Sequence, residues 1–437
     1  MAELLARDVT EHRLDNGLTV LLKEVHSAPV IACWAWYSVG SRNEQPGQTG
    51  ISHWVEHMLF KGTPAWPKGR IMRAISRVGG DSNGFTSDDQ TVYLATLPSE
   101  HIDLALDIEA DRMVNAVFDA GEVESERTVI ISEREGMENH PLALLAEQVR
   151  AAAFLVHSYH WPIVGWKCDL QVITRDEMFR HYRTFYSPNN CTLILVGDFE
   201  SQDMLKRVTE RFSQIVSNSA PAPVRSVEPP QEGERRLALR RTGTASYIHV
   251  AYHTPEATHE GIAALLLLDA ILSGGKGVGV GGGSYLGRTS RLYRALVETR
   301  LATGVSSHVP LAVDPHLLTI TATVRDGVGP AEVEAALLHE LDRLADQPPE
   351  QEELAKAVRQ ARAQTAYSTD GVTGQAYALG LSHQLQSPRF LDELLRKAAT
   401  VAPDDVCGVA QIYCKADNRT VGVFIPTGSA QQTPASE

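Results

Sequence analysis

The same order of predicted elements occurs twice along this 437-residue chain, and this repetition is the strongest constraint on its fold. In each half, a strand is followed by a helix, a second strand, further helices and a closing strand. The stretch between residues 219 and 233 contains four prolines and separates the two halves. Because proline interrupts both helices and sheets, this stretch is typical of a linker. We therefore predict an internal duplication with two domains of similar length.

Apolar periodicity and turn residues locate the elements on which the duplication is based. The predicted strands span residues 18–23, 30–39, 91–94 and 191–196 in the first half, and 248–252, 317–324 and 420–424 in the second. The predicted helices span residues 50–62, 71–78, 101–114, 119–140, 142–155 and 174–185, then 261–272, 288–299, 330–345 and a long helix from 352.

These elements predict four segments along the chain. Residues 1–220 form the first domain, 221–233 the linker, 234–426 the second domain and 427–437 a polar, disordered tail. The glycine-rich stretch 274–283 lacks the G-x-x-x-x-G-K-[ST] order of a phosphate-binding loop. We interpret it as a flexible loop.

Composition indicates a soluble globular protein, with 43% apolar and 22% charged residues. The net charge of −14 and the absence of a Lys/Arg run argue against nucleic acid or an anionic membrane as a partner. The first 13 residues lack the apolar core of a signal peptide, which predicts a cytoplasmic protein. The five cysteines are widely spread without a C-x-x-C pair, which favours reduced thiols over disulfides or a cysteine-bound metal.

The residues His53-Trp54-Val55-Glu56-His57 lie in the first predicted helix. In a helix, His53 and His57 are one turn apart on the same side, so both imidazoles can reach one zinc ion. Glu56 shares that face and can take a proton from water beside the metal. A match of this length also arises by chance, so the motif alone leaves open a helix whose polar side chains simply face solvent.

A zinc site with two histidines requires a further protein ligand, and the long helix after Asp119 is rich in glutamate. Glu126 and Glu133 share one face of this helix, whereas Glu135 is turned by about 200° from Glu133. Carboxylates on a buried face are costly without a cation, and zinc with its histidines would provide one. The alternative is that both glutamates are solvated surface charges.

The sequence resembles the M16 metallopeptidases, the family of pitrilysin and the mitochondrial processing peptidase, from about residue 19 to near the end of the chain. The motifs that carry the resemblance are H-x-x-E-H at 53–57 with M-L-F-K-G-T at 58–63, N-G-F-T at 83–86, T-V-Y at 91–93, E-R at 126–127 followed by Glu133, P-I-V-G at 162–165 and Y-S-P-N-N at 186–190.

This resemblance implies the roles of individual residues. It implies that His53, His57 and Glu133 are the ligands of one Zn²⁺ ion per chain. It implies that Glu56 is the catalytic general base. Glu126 is, by the same resemblance, a carboxylate that supports the ligands from behind.

The resemblance also implies the fold class and the way a peptide binds. The expected fold is α+β, with two homologous α/β domains that each have a mainly antiparallel sheet and helices packed on one face, as in the LuxS/MPP-like metallohydrolase fold. Paired halves would enclose a chamber for peptide hydrolysis. The substrate backbone would add to a sheet edge at Asn83, Gly84 and Phe85.

The second half departs from the family pattern where complete members carry an Arg/Tyr pair that clamps the substrate. Val297 and Thr303 stand at the corresponding positions. We therefore expect the catalytic subunit of a heterodimer, with a homologous M16 partner that carries the Arg/Tyr pair. The alternatives are a homodimeric peptidase in which Arg300, or Arg294 with Tyr293, replaces the pair, and a non-catalytic core subunit like those of respiratory complexes. The intact zinc motif favours the peptidase.

Overall fold

The computed structural model describes residues 5–276 and 287–428. The chain divides into two compact units. Unit 1 comprises Met1–Glu135, His157–Val227 and Ala366–Asp392, and unit 2 comprises Gly136–Val156, Glu228–Thr365 and Glu393–Glu437. Each unit includes a helical segment from the other half of the sequence.

The strands are β1 (Thr10–Arg13), β2 (Thr19–Glu24), β3 (Val30–Tyr37), β4 (Asp81–Thr86), β5 (Thr91–Pro98), β6 (Cys191–Gly197), β7 (Arg235–Thr242), β8 (Tyr247–Thr254), β9 (Ala302–His308), β10 (His316–Val324) and β11 (Arg419–Thr427). The α-helices are α1 (Ile51–Leu59), α2 (Arg70–Arg77), α3 (Ile102–Asn115), α4 (Ala120–Glu138), α5 (Pro141–Ala153), α6 (Lys167–Val172), α7 (Arg175–Phe185), α8 (Ser201–Phe212), α9 (Ile262–Ser273), α10 (Pro330–Asp346), α11 (Gln351–Ser368), α12 (Val372–Leu385), α13 (Phe390–Ala398) and α14 (Pro403–Tyr413).

The two sheets have the same topology. In unit 1 the strand order is β1-β2-β6-β3-β5-β4, and in unit 2 it is β7-β11-β8-β10-β9. Apart from the extra strand β1, the orders coincide, and each sheet has one parallel pair, β2 with β6 and β7 with β11. The remaining neighbours are antiparallel. This topology confirms the predicted fold class of two homologous α/β domains with mainly antiparallel sheets.

In unit 1, the side chains of β3 alternate between two packed faces. Cys33, Ala35 and Tyr37 lie in the main core of unit 1 with residues from α1, α3 and α8. On the other face, helix α12 lies against β3 and β6. Its Gly380 is so close that an added Cβ would lie 2.3 Å from the Trp36 ring.

Unit 2 shows the reciprocal arrangement. Helix α5, which precedes the proline-rich stretch in sequence, lies against β8 and β11. A Cβ added at Gly422 of β11 would lie 2.3 Å from the side chain of Val149 on α5. Each sheet is thus completed by one helix from the opposite half of the sequence, which explains why the units are not contiguous.

Some predicted elements differ in the structure or lie outside the described residues. The predicted helix 288–299 is instead a π-helical turn at Tyr293–Glu298, and Arg300 follows it with a φ of 64°. Residues 277–283 of the predicted glycine-rich loop and residues 429–437 of the predicted tail lie outside the described ranges.

Candidate metal centre

Helix α1 is amphipathic and presents its polar residues to helix α4. Trp54, Val55, Met58 and Leu59 are fully buried in the core of unit 1, so the rotation of the helix is set by packing. This packing leaves His53 and His57 on the opposite side, where their imidazole rings are 4.6 Å apart, centre to centre.

Helix α4 is held at its first turn by Asp119. The Asp119 carboxylate accepts the backbone N–H groups of Gly121 at 2.9 Å and Glu122 at 3.1 Å. The Glu122 side chain forms an ion pair with Lys68 at 2.6 Å. Val123 and Ile130 pack in the core, and this orientation turns the face that carries Glu126 and Glu133 toward α1.

Three ligand-type atoms from α1 and α4 converge. The Glu133 Oε2 atom lies 4.0 Å from Nε2 of His53 and 3.8 Å from Nε2 of His57. The ligand atoms of these residues all lie within 4.8 Å of one another, the one such group of His, Cys, Asp and Glu within the described ranges. Ligands that bind a tetrahedral zinc at 2.0–2.2 Å are separated by about 3.4 Å. The group therefore fits a zinc ion after small side-chain movements.

The protonation of His53 also suits metal binding. Burial, with a smaller contribution from the neighbouring His57, lowers the pKa of His53 to about 3. A neutral imidazole keeps a lone pair for a metal, whereas an imidazolium would repel it. The side chains of His53 and His57 are 16% and 20% exposed, so they remain reachable from one side.

Glu126 lies behind His57 rather than beside the ligand atoms. Its Oε1 atom is 2.9 Å from Nδ1 of His57, and its second oxygen contacts the Lys61 ammonium. Burial acts to raise the pKa of Glu126, but the hydrogen bonds from Lys61 and His57 outweigh it and the pKa is lowered. An ionised Glu126 accepts the Nδ1–H of His57, which directs the Nε2 lone pair toward Glu133. Lys61 lies one turn after His57 and belongs to the M-L-F-K-G-T motif, but the sequence alone does not indicate its contact with Glu126.

Glu56 lies between α1 and the edge strand β4. Its Oε2 atom accepts the Thr86 hydroxyl at 2.7 Å, and the residue is 6% exposed. Burial raises the pKa of Glu56, against the smaller effects of Thr86 and His57. A raised pKa favours a carboxylate that takes up a proton during a reaction. Thr86 was not singled out by sequence reasoning.

Strand β4 approaches Glu56 closely at a glycine. A Cβ added at Gly84 would lie 3.0 Å from Glu56 Oε1 and 3.0 Å from the Phe60 ring. Phe85 points to the other face of the sheet, where its ring centre is 6.3 Å from Trp34 and 6.2 Å from Trp36. The structure therefore brings the backbone of β4 to Glu56, while the Phe85 side chain packs elsewhere.

Asn83 and Glu135 take no part in the convergent group. The Asn83 side chain accepts the backbone N–H of Gly84 at 2.9 Å. Glu135 forms an ion pair with Lys167 at the surface.

Arg127 connects α4 to α1 and to the segment after α6. Its guanidinium lies 4.7 Å from the centre of the Trp54 ring. It donates to the carbonyl oxygen of Ile173 at 2.8 Å and also to that of Leu170. Arg127 therefore holds the helix that carries Glu133 at a fixed place in unit 1. The E-R motif included this residue, but no local pattern predicts these contacts.

The positions that correspond to the Arg/Tyr pair lie in unit 2. Val297 is half-buried on the π-helical turn, and Thr303 is exposed on the edge strand β9. The Thr303 hydroxyl donates to the carbonyl oxygen of Thr323 at 3.4 Å. Arg294 and Arg300 are exposed in the same region.

No helix within residues 5–276 and 287–428 combines the length and apolar character needed to cross a bilayer.

Comparison with known proteins gives consistent matches in both halves. Residues 19–165 match the family described as insulinase, peptidase family M16, and residues 173–361 match the peptidase M16 inactive domain. An uncharacterized zinc protease of Mycobacterium bovis is 31% identical over 71% of this chain and 68% of that protein. The uncharacterized zinc protease YmxG of Bacillus subtilis is 28% identical over 71% of this chain and 73% of that protein. The crystal structure of a protease from Helicobacter pylori is similar with a TM-score of 0.90 at 25% identity, covering 96% of this chain and 99% of that chain.

Proposed function

Because the chain belongs to peptidase family M16, we propose that it is a zinc-dependent endopeptidase with its catalytic centre at α1, α4 and β4. The observation that supports this most directly is the convergence of His53, His57 and Glu133 beside the buried carboxylate of Glu56. Three protein ligands with one open position are the usual arrangement of a catalytic zinc site, whereas a structural site closes all four positions. The relatives that carry the name zinc protease support the same function.

In this proposal, His53, His57 and Glu133 would hold one zinc ion, which would supply Lewis acidity when bound. Glu56 takes the proton from the attacking water and later passes it to the leaving amine. The Thr86 hydroxyl fixes one oxygen of Glu56 and leaves the other beside Gly84.

The peptide would lie along the free edge of β4. Strand β4 is the last strand of its sheet, so its outer N–H and C=O groups can pair with an extended peptide. The segment Asn83-Gly84-Phe85 would supply these groups, and the aromatic contacts of Phe85 with Trp34 and Trp36 would keep the edge rigid. Backbone pairing would bind peptides of varied sequence.

The test of the base is Glu56→Gln. The amide keeps the size of the side chain but cannot take the proton, so we expect turnover of a peptide to fall by about 10²–10⁴. Zinc content and melting temperature should stay close to wild type. Glu210→Gln, at a glutamate on the surface of α8, is the matched control and should keep full turnover. Near wild-type turnover in a zinc-loaded Glu56→Gln protein would remove Glu56 as the base.

We also propose that the active enzyme contains a homologous partner chain that carries an Arg/Tyr pair. Val297 offers no hydrogen-bond donor, and the short Thr303 side chain cannot imitate a tyrosine hydroxyl. The match of residues 173–361 to the inactive domain of the family is in keeping with a second half that has no metal site of its own. Because one missing donor to the tetrahedral intermediate costs about 10²–10³ in rate, the isolated chain should bind zinc and cleave peptides weakly.

Titration with the partner chain tests this proposal. Activity toward one peptide should rise and saturate near one partner per chain. Full activity of the isolated chain, unchanged when partner is added, would contradict the heterodimer and favour the homodimeric peptidase. In a homodimer that uses Arg300 or Arg294, Arg300→Ala or Arg294→Ala would abolish this activity, whereas in the heterodimer both variants should behave as wild type.

The other candidate is a non-catalytic core subunit. Metal analysis separates it from the peptidase, because about one zinc per purified chain is expected for a mononuclear catalytic site. A chain that binds no zinc under conditions that load a known zinc peptidase would favour the core subunit.

A further inference from the structure

A buried carboxylate from outside helix α1 holds the beginning of that helix. Glu44 is 6% exposed and accepts the backbone N–H groups of Gly50 at 2.7 Å and of Ser52 at 2.8 Å. We propose that Glu44 is a positioning residue of the metal centre, which sets the place of His53 through the first turn of α1. This inference rests on the proposed zinc site and adds a residue to it.

Helix α1 has no cap of its own. The first N–H groups of a helix lack partners within the helix, and a side chain at the preceding residue usually supplies one. Here that residue is Gly50, which has a φ of 86° and no side chain. The two oxygens of Glu44 replace the missing cap by accepting both N–H groups. Burial raises the pKa of Glu44 to about 8, although the N–H groups of Ser52 and Gly50 act in the opposite direction.

The surroundings of Gly50 explain why the cap comes from a distant residue. A Cβ at Gly50 would lie 2.2 Å from the carbonyl oxygen of Val164, and a Cβ at Gly165 would lie 2.2 Å from that of Thr49. The two backbones are therefore packed directly against each other. No larger residue fits at Gly50, and the N–H groups of Gly50 and Ser52 instead donate to the side chain of Glu44.

The residue before His53 is fixed through its side chain as well. Ser52 is fully buried, and its hydroxyl donates to the carbonyl oxygen of Gly40 at 3.2 Å. The same hydroxyl lies 3.2 Å from Nε2 of His181, a ring that is neutral because burial lowers its pKa to about 3. With its N–H on Glu44 and its hydroxyl on Gly40 and His181, Ser52 has little freedom to move.

A shift at Ser52 would therefore be transmitted directly to the metal ligands. His53 follows Ser52 in the chain, and the ligand atoms of His53 and Glu133 must meet within a few tenths of an ångström of the zinc distance. The carboxylate of Glu44 has two acceptor oxygens for two N–H groups, whereas the amide of a glutamine has one. Glu44→Gln would thus leave one N–H facing an NH₂ group without changing the size of the side chain.

Unit 1 contains a matched control for this substitution. Asp392 is also 6% exposed and also accepts two backbone N–H groups, those of Leu5 and Ala6, both at 2.8 Å. Asp392→Asn removes the same kind of interaction at a place with no connection to α1. A general loss of stability should therefore appear in both variants, and a loss of positioning only in Glu44→Gln.

The experiment measures zinc affinity by competition with a chelator, together with melting and amide hydrogen exchange of α1 in the metal-free proteins. For Glu44→Gln we expect about tenfold weaker zinc binding, at the lower end of what supporting residues contribute, and faster exchange at the first turn of α1. Asp392→Asn should melt earlier and bind zinc as wild type does. Glu44→Asp, which keeps both oxygens on a shorter side chain, should give an intermediate affinity and serves if Glu44→Gln does not fold.

The outcomes separate the two proposals. Wild-type zinc affinity in Glu44→Gln, or in Glu44→Asp if only that variant folds, overturns the positioning role, and so does an equal loss of affinity in Asp392→Asn. A wild-type protein that binds no zinc instead overturns the proposed function.

Discussion

The two units place a helix against an edge strand in the same way, yet they use the contact differently. In unit 1, α1 lies on β4, and in unit 2, α9 lies on β9. In both, a carboxylate on the helix accepts a hydroxyl from the strand: Glu56 from Thr86, and Asp269 from Ser307. The shared topology thus places a carboxylate beside a hydroxyl in both units, although the described residues of unit 2 contain no group of three metal-ligand side chains.

In unit 2, a lysine side chain neutralises the charge of the buried Asp269 carboxylate. The Lys276 ammonium lies 2.7 Å from Asp269 Oδ1 and also contacts the carbonyl oxygen of Ser307. The Ser307 hydroxyl lies 2.8 Å from that of Ser273, which closes the network. The Asp269 side chain is 4% exposed, so the described residues enclose this network.

In unit 1, the corresponding group is instead accessible to a cation from solution. This group contains two imidazoles, and the Glu133 side chain is 43% exposed. The comparison shows how one fold can carry a convergent group of ligand-type side chains in one copy and a buried ion pair in the other. The difference depends on a few side chains rather than on the backbone.

The largest effect is expected from removing Glu133, the proposed zinc ligand, which belongs to a group that the described residues of unit 2 do not repeat. Glu133→Ala should lose zinc and with it all activity, because two histidines alone do not complete the site. Glu135→Ala on the same helix should keep both, since Glu135 pairs with Lys167. Zinc content after dialysis against a weak chelator measures the difference. Metal binding that responds to Glu135 and ignores Glu133 would show that the two helices meet in another register.

The second-largest effect is expected from removing the charge of Lys276, which pairs with Asp269 in unit 2. Lys276→Met leaves the Asp269 carboxylate buried without its partner, which should lower the free energy of unfolding by about 3 kcal/mol, as for other broken buried ion pairs. The double variant Lys276→Met/Asp269→Asn should recover part of this loss. Zinc affinity should not change in either protein. Urea denaturation tests this prediction through the midpoint of the first unfolding transition. An unchanged midpoint in Lys276→Met would show that the ion pair does not stabilise unit 2.

Local sequence patterns predicted the two helices that carry the site, α1 and α4, but did not predict strand β4. The interval 50–62 predicted for the first helix compares with Ile51–Leu59 in the structure, and the long helix begins at Ala120, next to the capping Asp119. Both have strong signals in consecutive residues. Strand β9 was missed because its glycine and serines resemble a loop, and a short strand gains its stability from pairing with a neighbour.

Contacts between distant residues could not be predicted from periodicity. A helical pattern identifies α5 and α12 as helices but does not say which sheet each one covers. In the same way, nothing near Glu44 or Lys61 indicates that their side chains reach Gly50 and Glu126. These residues act through packing between segments that are far apart in the sequence or turned toward each other only in the folded chain.

The smallest effect is expected from substitutions in the two edge strands, β4 and β9. Gly84 of β4 and Gly304 of β9 are both glycines on the last strand of a sheet, but their surroundings differ. A Cβ at Gly84 would lie 3.0 Å from Glu56, whereas a Cβ at Gly304 meets no atom within 4 Å. Gly84→Ala must therefore move the Glu56 carboxylate or the strand by a few tenths of an ångström.

We expect Gly84→Ala to lower kcat about tenfold or less, because a small displacement of the base disturbs proton transfer without removing it. Zinc affinity should stay within about twofold of wild type, since Glu56 is not a ligand. Gly304→Ala should leave kcat unchanged, because the added methyl group enters open space. Steady-state kinetics with one peptide compares the two variants directly. Equal kcat values for the two variants would mean that β4 can shift without displacing Glu56. The close approach at Gly84 would then be a packing contact with no effect on the proposed base.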